Sequence, residues 1–180
     1  MCGAADVFVE CVVPCVMDMC ACDSVDCKAT ALRIAGDSLA ALLRGLGEAA
    51  KDTLAQASSL ASRIYTLVTR DVLPRTRALL ADKEQVALNS LRILAVLVTE
   101  NAHMPFPRCL YDLQFCPLVM PLLTPRHPLC CMHLFAVIRA LAECNDVDPG
   151  YLSQLGCHSH IAAVLTWSVR VTTCSRTAKL

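Results

Sequence analysis

Shifted by 43 residues, the sequence between Asp71 and Trp167 falls onto itself. Pro74 meets Pro117, Leu79-Leu80 meets Leu122-Leu123, Leu91 meets Leu134 and Glu100 meets Glu143. The pairs between these identities are conservative: Lys83 with Arg126, Val86 with Leu129, Leu94 with Val137, Val98 with Leu141. A third, partial copy starts near Leu155, where Ile161 and Val164-Leu165 echo Val119 and Leu122-Leu123 at a shift of 42. A period of this length restricts the chain to an array of small helical units. Each unit is too short to bury its own apolar face and must stack on its neighbours.

Within a unit, a short helix ending in a Leu-Leu pair leads through a polar turn into a longer helix. Asp82-Lys83-Glu84-Gln85 has the spacing of a capping box, and Thr124-Pro125-Arg126-His127-Pro128 offers a capping hydroxyl with prolines suited to a first turn. Asn101 to Pro107 and Asn145 to Gly150 end the longer helices. Composition agrees: hydrophobic residues make up 56% of the chain and aromatics 4%, so the core material is small and aliphatic, suited to close helix-on-helix packing.

The stretch from Leu113 to Leu165 resembles the armadillo/HEAT repeat family. Leu118, Val119, Leu122 and Leu123 match its second helix; Leu134, Val137, Ile138 and Leu141 match its third; Leu155-Gly156 matches the entry to the next repeat. The resemblance covers roughly residues 70–167 and implies an all-α solenoid fragment with a 42–43-residue repeat. The equivalent of Gly156 one unit earlier is Leu113 or Gln114, a departure that weakens that entry turn. The sequence after Trp167 lacks a matching third helix, so the chain is expected to be part of a longer array.

The rest divides by pattern. Leu32, Leu39, Leu42, Leu43 and Leu46 mark a helical stripe that Gly36-Asp37 is expected to interrupt, and Leu54, Ala57, Ala61, Ile64 and Val68 mark another. Residues 28–70 therefore read as a helical hairpin or divergent repeat, 71–167 as two to two-and-a-half repeats, and 168–180 as a polar tail. Residues 1–27 stand apart, with six cysteines, five acids and no Lys or Arg. Val7, Cys11, Cys15 and Met19 recur at a helical spacing of four, but Pro14 interrupts them, and the segment is expected to pack weakly.

Several function classes lack the residues they need. No Gly-x-Ser-x-Gly and no Gly-rich phosphate loop with a Lys partner occurs, so the chain reads as non-catalytic, with no cofactor. Cys130-x-x-His133 and Cys157-His158-x-His160 come nearest to metal ligands, yet no Cys-x-x-Cys occurs, and no metal site is expected. Beyond residue 27 sixteen bases face eleven acids, too slight an excess for a nucleic-acid stripe. No run of about twenty apolar residues suggests a membrane span. Without a secretory signal, the thirteen cysteines read as small core hydrophobes and the location as cytoplasmic. Ala178-Lys179-Leu180 resembles a peroxisomal address.

What remains is binding. In armadillo-like arrays the long helices carry the recognition surface, and Asn89, Arg92, Met132, His133 and Arg139 on them are the candidates for contact with a protein or peptide. Ile161, Val164, Leu165 and Trp167 form an apolar group expected to drive self-association. The competing readings are a structural or regulatory tail of a larger protein such as a kinase, and a metal- or redox-responsive protein acting through the N-terminal cysteines.

Overall fold

The computed structural model describes residues 4–52, 54–100 and 105–177. Nine helical segments account for most of them, and no strand occurs among the described residues. Helix α1 spans residues 4–19 as Ala4–Val7, a π turn at Phe8–Val12 and Val13–Met19. α2 is Val25–Asp52, and α3 spans residues 54–79 as Leu54–Leu67, a π turn at Val68–Val72 and Leu73–Leu79. There follow α4 (Glu84–Thr99), α5 (Phe106–Asp112), α6 (Phe115–Val119, continued by a 3₁₀ turn at Met120–Leu122) and α7 (Pro128–Glu143). α8 (Tyr151–Gln154) and α9 (Cys157–Thr177) close the series.

The helices form two layers. α2, α4 and α7 lie side by side and parallel: Lys28 pairs with Asp82, Arg92 with Asp37, Arg44 with Glu100 and His127 with Glu84. α1, α3, α5–α6 and α9 form the other layer. There Glu10 pairs with Arg63 and Asp18 with Arg75, Tyr65 stacks on Phe106 (centroids 6.0 Å apart), and Tyr111 meets Tyr151 edge-on at 4.6 Å. Two of the five acids of residues 1–27, Glu10 and Asp18, thus find bases on α3. Between the layers lies one core, with Met17, Leu32, Leu39, Leu91, Leu94, Phe106, Phe115 and Leu134 among its fully buried side chains.

The divisions expected at residues 27/28, 70/71 and 167/168 each fall inside a helix. Residues 4–19 are not a weakly packed appendage: Val13 and Met17 are fully buried and α1 forms a hairpin with α2. α1–α2 is therefore a first repeat unit and α3–α4 the second. The π turns make the match plain. Phe8–Val12 and Val68–Val72 lie 60 residues apart, and each runs directly into Val13-Pro14 or Leu73-Pro74. Proline has no N–H for the carbonyl four residues back, and its ring crowds that carbonyl. Widening the turn relieves the clash, with Val13 N–H donating instead to Phe8 O and Leu73 N–H to Val68 O, five residues back.

The Val7, Cys11, Cys15, Met19 stripe is present, but it faces solvent; the buried stripe is Val9, Val13, Val16, Met17 and Cys20. Gly36 does not break α2, which runs through it. The long helices also refine the repeat. Val86 is buried whereas Leu129 is exposed, and the buried set of α7 (Cys130, Cys131, Leu134, Val137, Ile138, Leu141) falls on buried positions of α4 at a shift of 44. The turn from Thr124 to His127 holds one residue more than its predecessor, so the shift is 43 before it and 44 after it. Neither turn uses the expected cap. Asp82 Oδ1 accepts from Lys83 N–H, and Thr124 Oγ1 accepts from Arg126 N–H. α9 continues as helix to Thr177, where a polar tail was expected, and Ala178-Lys179-Leu180 lies outside the described residues.

Candidate interaction surface on the long helices

The layer of long helices positions four of the five candidate residues on one surface. Arg92 leaves α4 toward α2 and pairs with Asp37. His133 sits half-buried on α7; burial first, and then the nearby Arg92 cation, holds its pKa below the ordinary histidine value. Met132, the neighbouring residue, is 64% exposed, a large apolar side chain with little to cover it. One to two turns on, Arg139 Nε donates to Glu143 Oε1 at 2.8 Å, one turn ahead on the same helix. Their attraction raises the Arg139 pKa above its ordinary value.

Asn89 is different. It is buried, and its amide donates to Ala29 O at 3.1 Å on α2 and to Gln85 O at 3.2 Å. The side chain is occupied in tying α4 to α2 and has no face to offer a partner. At the shift of 44 its counterpart is His133, so a polar residue holds that place in both units.

Between α4 and α7 runs a groove of about 310 Å³, lined by Val98, Thr99, Ala136, Arg139, Ala140 and Glu143. Its floor is small and aliphatic, and its rim carries one cation and one anion. Thr99 adds a hydroxyl to the wall, and the two rim charges, Arg139 and Glu143, are paired with each other. Thr99 and Ala136 were not singled out in the sequence, and Glu143 only as the repeat partner of Glu100. The spacing of four between Arg139 and Glu143 was the available signal, whereas the small residues give none without knowing where α4 lies.

The cysteines divide between core and surface. Cys20 and Cys116 are buried, and burial pushes each thiol up to about 11; Cys11 and Cys15 are exposed. Among the described residues no three His, Cys, Asp or Glu side chains converge to hold a metal ion. No helix of the described residues is long and apolar enough to cross a membrane.

A family model described as serine/threonine-protein kinase ULK4-like, HEAT repeats, matches residues 1–104. That span covers the first two units, α1–α2 and α3–α4, and ends just beyond the last residue of α4. No curated protein and no solved structure matches the chain.

Proposed function

The chain belongs to the ULK4-like serine/threonine-protein kinase HEAT-repeat family, and from that premise we propose that it is a non-catalytic scaffold binding a protein or peptide. The surface we assign to binding is the outer side of α4 and α7, with Arg139 in the wall of the groove and Arg92, Met132 and His133 on the same two helices. The observation that carries this reading is the exposed Met132 one turn before Ala136, on the helix whose Ala136, Arg139, Ala140 and Glu143 line the groove. Methionine's flexible, polarizable side chain is common at adaptable protein-binding surfaces. The test is affinity capture followed by mass spectrometry, comparing the wild-type chain with Met132→Asp and Arg139→Glu variants. Proteins retained by wild type and lost from both variants support the surface. Proteins retained equally by all three sink it.

The family description favours a second reading, a regulatory or structural tail that acts next to a kinase domain. It predicts that the retained protein is a kinase domain. A further copy of the chain is a third class of partner, suited to the exposed Leu165 and Trp167 on α9.

A further inference from the structure

We propose that Cys22 and Cys27 form a dithiol that a low-molecular-weight disulfide converts into an internal disulfide, a reversible covalent staple across the turn between α1 and α2. Such a staple involves neither the groove between α4 and α7 nor any contact between chains.

Ser24 sets the geometry. It precedes the first residue of α2, and its hydroxyl accepts from Cys27 N–H at 3.4 Å, which makes Ser24 the N-cap and Cys27 the third helical residue. A side chain at that third position reaches back over the cap, as the Glu of a capping box does. Here the reach brings the Cys27 thiol to 3.9 Å from Met19 O, at the end of α1. The same carbonyl accepts from Cys22 N–H at 3.2 Å, and the Cys22 thiol donates to Ser24 O at 3.5 Å. Both cysteines are thus folded onto the same few atoms of one turn. Contact with the Cys22 sulfur first, and burial second, hold the proton of the Cys27 thiol above the ordinary value.

The other described cysteines of residues 1–27 are placed differently. Cys20 is buried, and its thiol points back along α1 to Val16 O at 3.8 Å. Cys11 and Cys15 lie exposed along α1 itself. Cys22 and Cys27 are both half-buried, and they approach from the two sides of the turn. Lys28, the next residue, pairs with Asp82 at 2.9 Å, so the staple closes at the seam between the first two units.

The exchange balances with oxidised glutathione as the only oxidant. One thiol of the pair loses its proton and attacks a sulfur of oxidised glutathione, which breaks that S–S bond and releases one glutathione thiolate. The other protein thiolate then attacks the mixed disulfide at the protein sulfur and displaces the second glutathione. Two protein thiols become one disulfide, one glutathione disulfide becomes two thiols, and both protons pass to the released thiolates.

The test equilibrates the whole reduced chain with glutathione buffers of graded oxidised fraction, blocks the remaining thiols with N-ethylmaleimide and maps peptides by mass spectrometry. Cleavage before Asp23 and Asp26 leaves Cys22 and Cys27 on separate peptides that a disulfide holds together. The linked form is expected to exceed glutathione adducts at these two positions by roughly tenfold, while Cys11 and Cys15 carry adducts. In urea most of that preference should disappear, because the turn no longer holds the thiols together. Cys22→Ser should leave Cys27 as an adduct, and Cys27→Ser should do the same to Cys22. Adducts at Cys22 and Cys27 as frequent as at Cys11 and Cys15 overturn the proposal, and the wild-type map alone decides this without any variant having to fold. A link that forms equally well in urea overturns it too. So does a link that persists in Cys22→Ser through Cys20, which shares the Cys22 peptide.

Discussion

Gln114 and Gly156 share a left-handed backbone, 42 residues apart, each standing between the end of one short helix and the first residue of the next. The turn is the same device in two units, filled once by the residue that takes positive φ without strain and once by a residue that does not. Gln114 has φ 54°, and its side-chain amide donates to Tyr111 O at 3.1 Å on the surface. Gln114→Gly is therefore expected to raise unfolding free energy by about 0.5–1 kcal/mol, and Gly156→Ala to lower it by about 1 kcal/mol. Urea unfolding followed by circular dichroism decides the matter; the idea fails if the two changes have the same sign.

Thr76 provides a second comparison between units. Its hydroxyl is fully buried without a hydrogen-bond partner, and the position 60 residues earlier is Val16. The first unit has solved with a methyl what the second leaves as an unpaired donor. Thr76→Val should stabilise the chain by about 1–2 kcal/mol, since the shape is kept and an unsatisfied buried group removed. A loss of stability on thermal melting would mean that the hydroxyl has a partner in solution.

Gly36 lies inside α2 with helical geometry on both sides, and a Cβ there would meet Ile93 Cγ1 at 3.5 Å, an ordinary contact. Nothing in that packing demands a glycine. Gly36→Ala is expected to stabilise by about 0.5–1 kcal/mol through reduced chain entropy in the unfolded state. Unfolding at lower denaturant than wild type would show that α2 and α4 approach more closely than this.

The first unit makes the most direct test of how far the core extends. Met17 on α1 is as deeply buried as Leu91 on α4 and Leu134 on α7. Truncation to alanine should cost roughly 2–5 kcal/mol at each of the three. A loss at Met17 below about 1 kcal/mol, with full losses at the other two, would detach α1 from the cooperative core.

Thiol chemistry reads burial independently. Cys20 and Cys116, raised by burial from 9.0 to about 11, are protonated near neutral pH, whereas reaction needs the thiolate. Iodoacetamide at mildly alkaline pH should modify the exposed Cys11 and Cys15 quickly and Cys116 only through unfolding, as mass spectrometry of digests would reveal. The same shifts carry a pH dependence. The folded state holds the proton more tightly than the unfolded chain, so this contribution is fully present below about pH 9 and is lost as pH rises through about 11. Stability that stays flat across that window would contradict the burial of both thiols.

The helical class and the repeat were legible because apolar positions recur at helical spacing, although Leu91 and Leu134, matched at 43, stand one residue out of register in the structure. The first unit was hidden. Its second helix, α2, has 28 residues against 16 in α4, so α1 precedes its counterpart by 60 residues, and a search at 43 cannot find it. The exposed stripe of α1 also outshone the buried one, since a π turn throws the simple spacing of four out of register. Of the proposed binding surface, Arg92, Met132, His133 and Arg139 were legible as side chains of the long helices. Asn89 was misread because polarity alone does not tell a surface amide from one donated across a helix interface. The groove itself arises from where α4 and α7 meet, which no single segment records.

The two π turns bear on how the stack yields under force. Each proline removes an amide that would have met Glu10 O or Arg70 O, leaving a turn of α1 and a turn of α3 with one fewer rung than the helix on either side. A beam weakened at one place in each of two adjoining members flexes there first. The first two units should therefore open and close like a book along the line joining Pro14 and Pro74, over the groove that Val9, Glu10, Arg63 and Arg70 share. The third unit has no such crease. There the helix in the layer of α1 and α3 is interrupted outright at Gln114, whose left-handed turn separates α5 from α6.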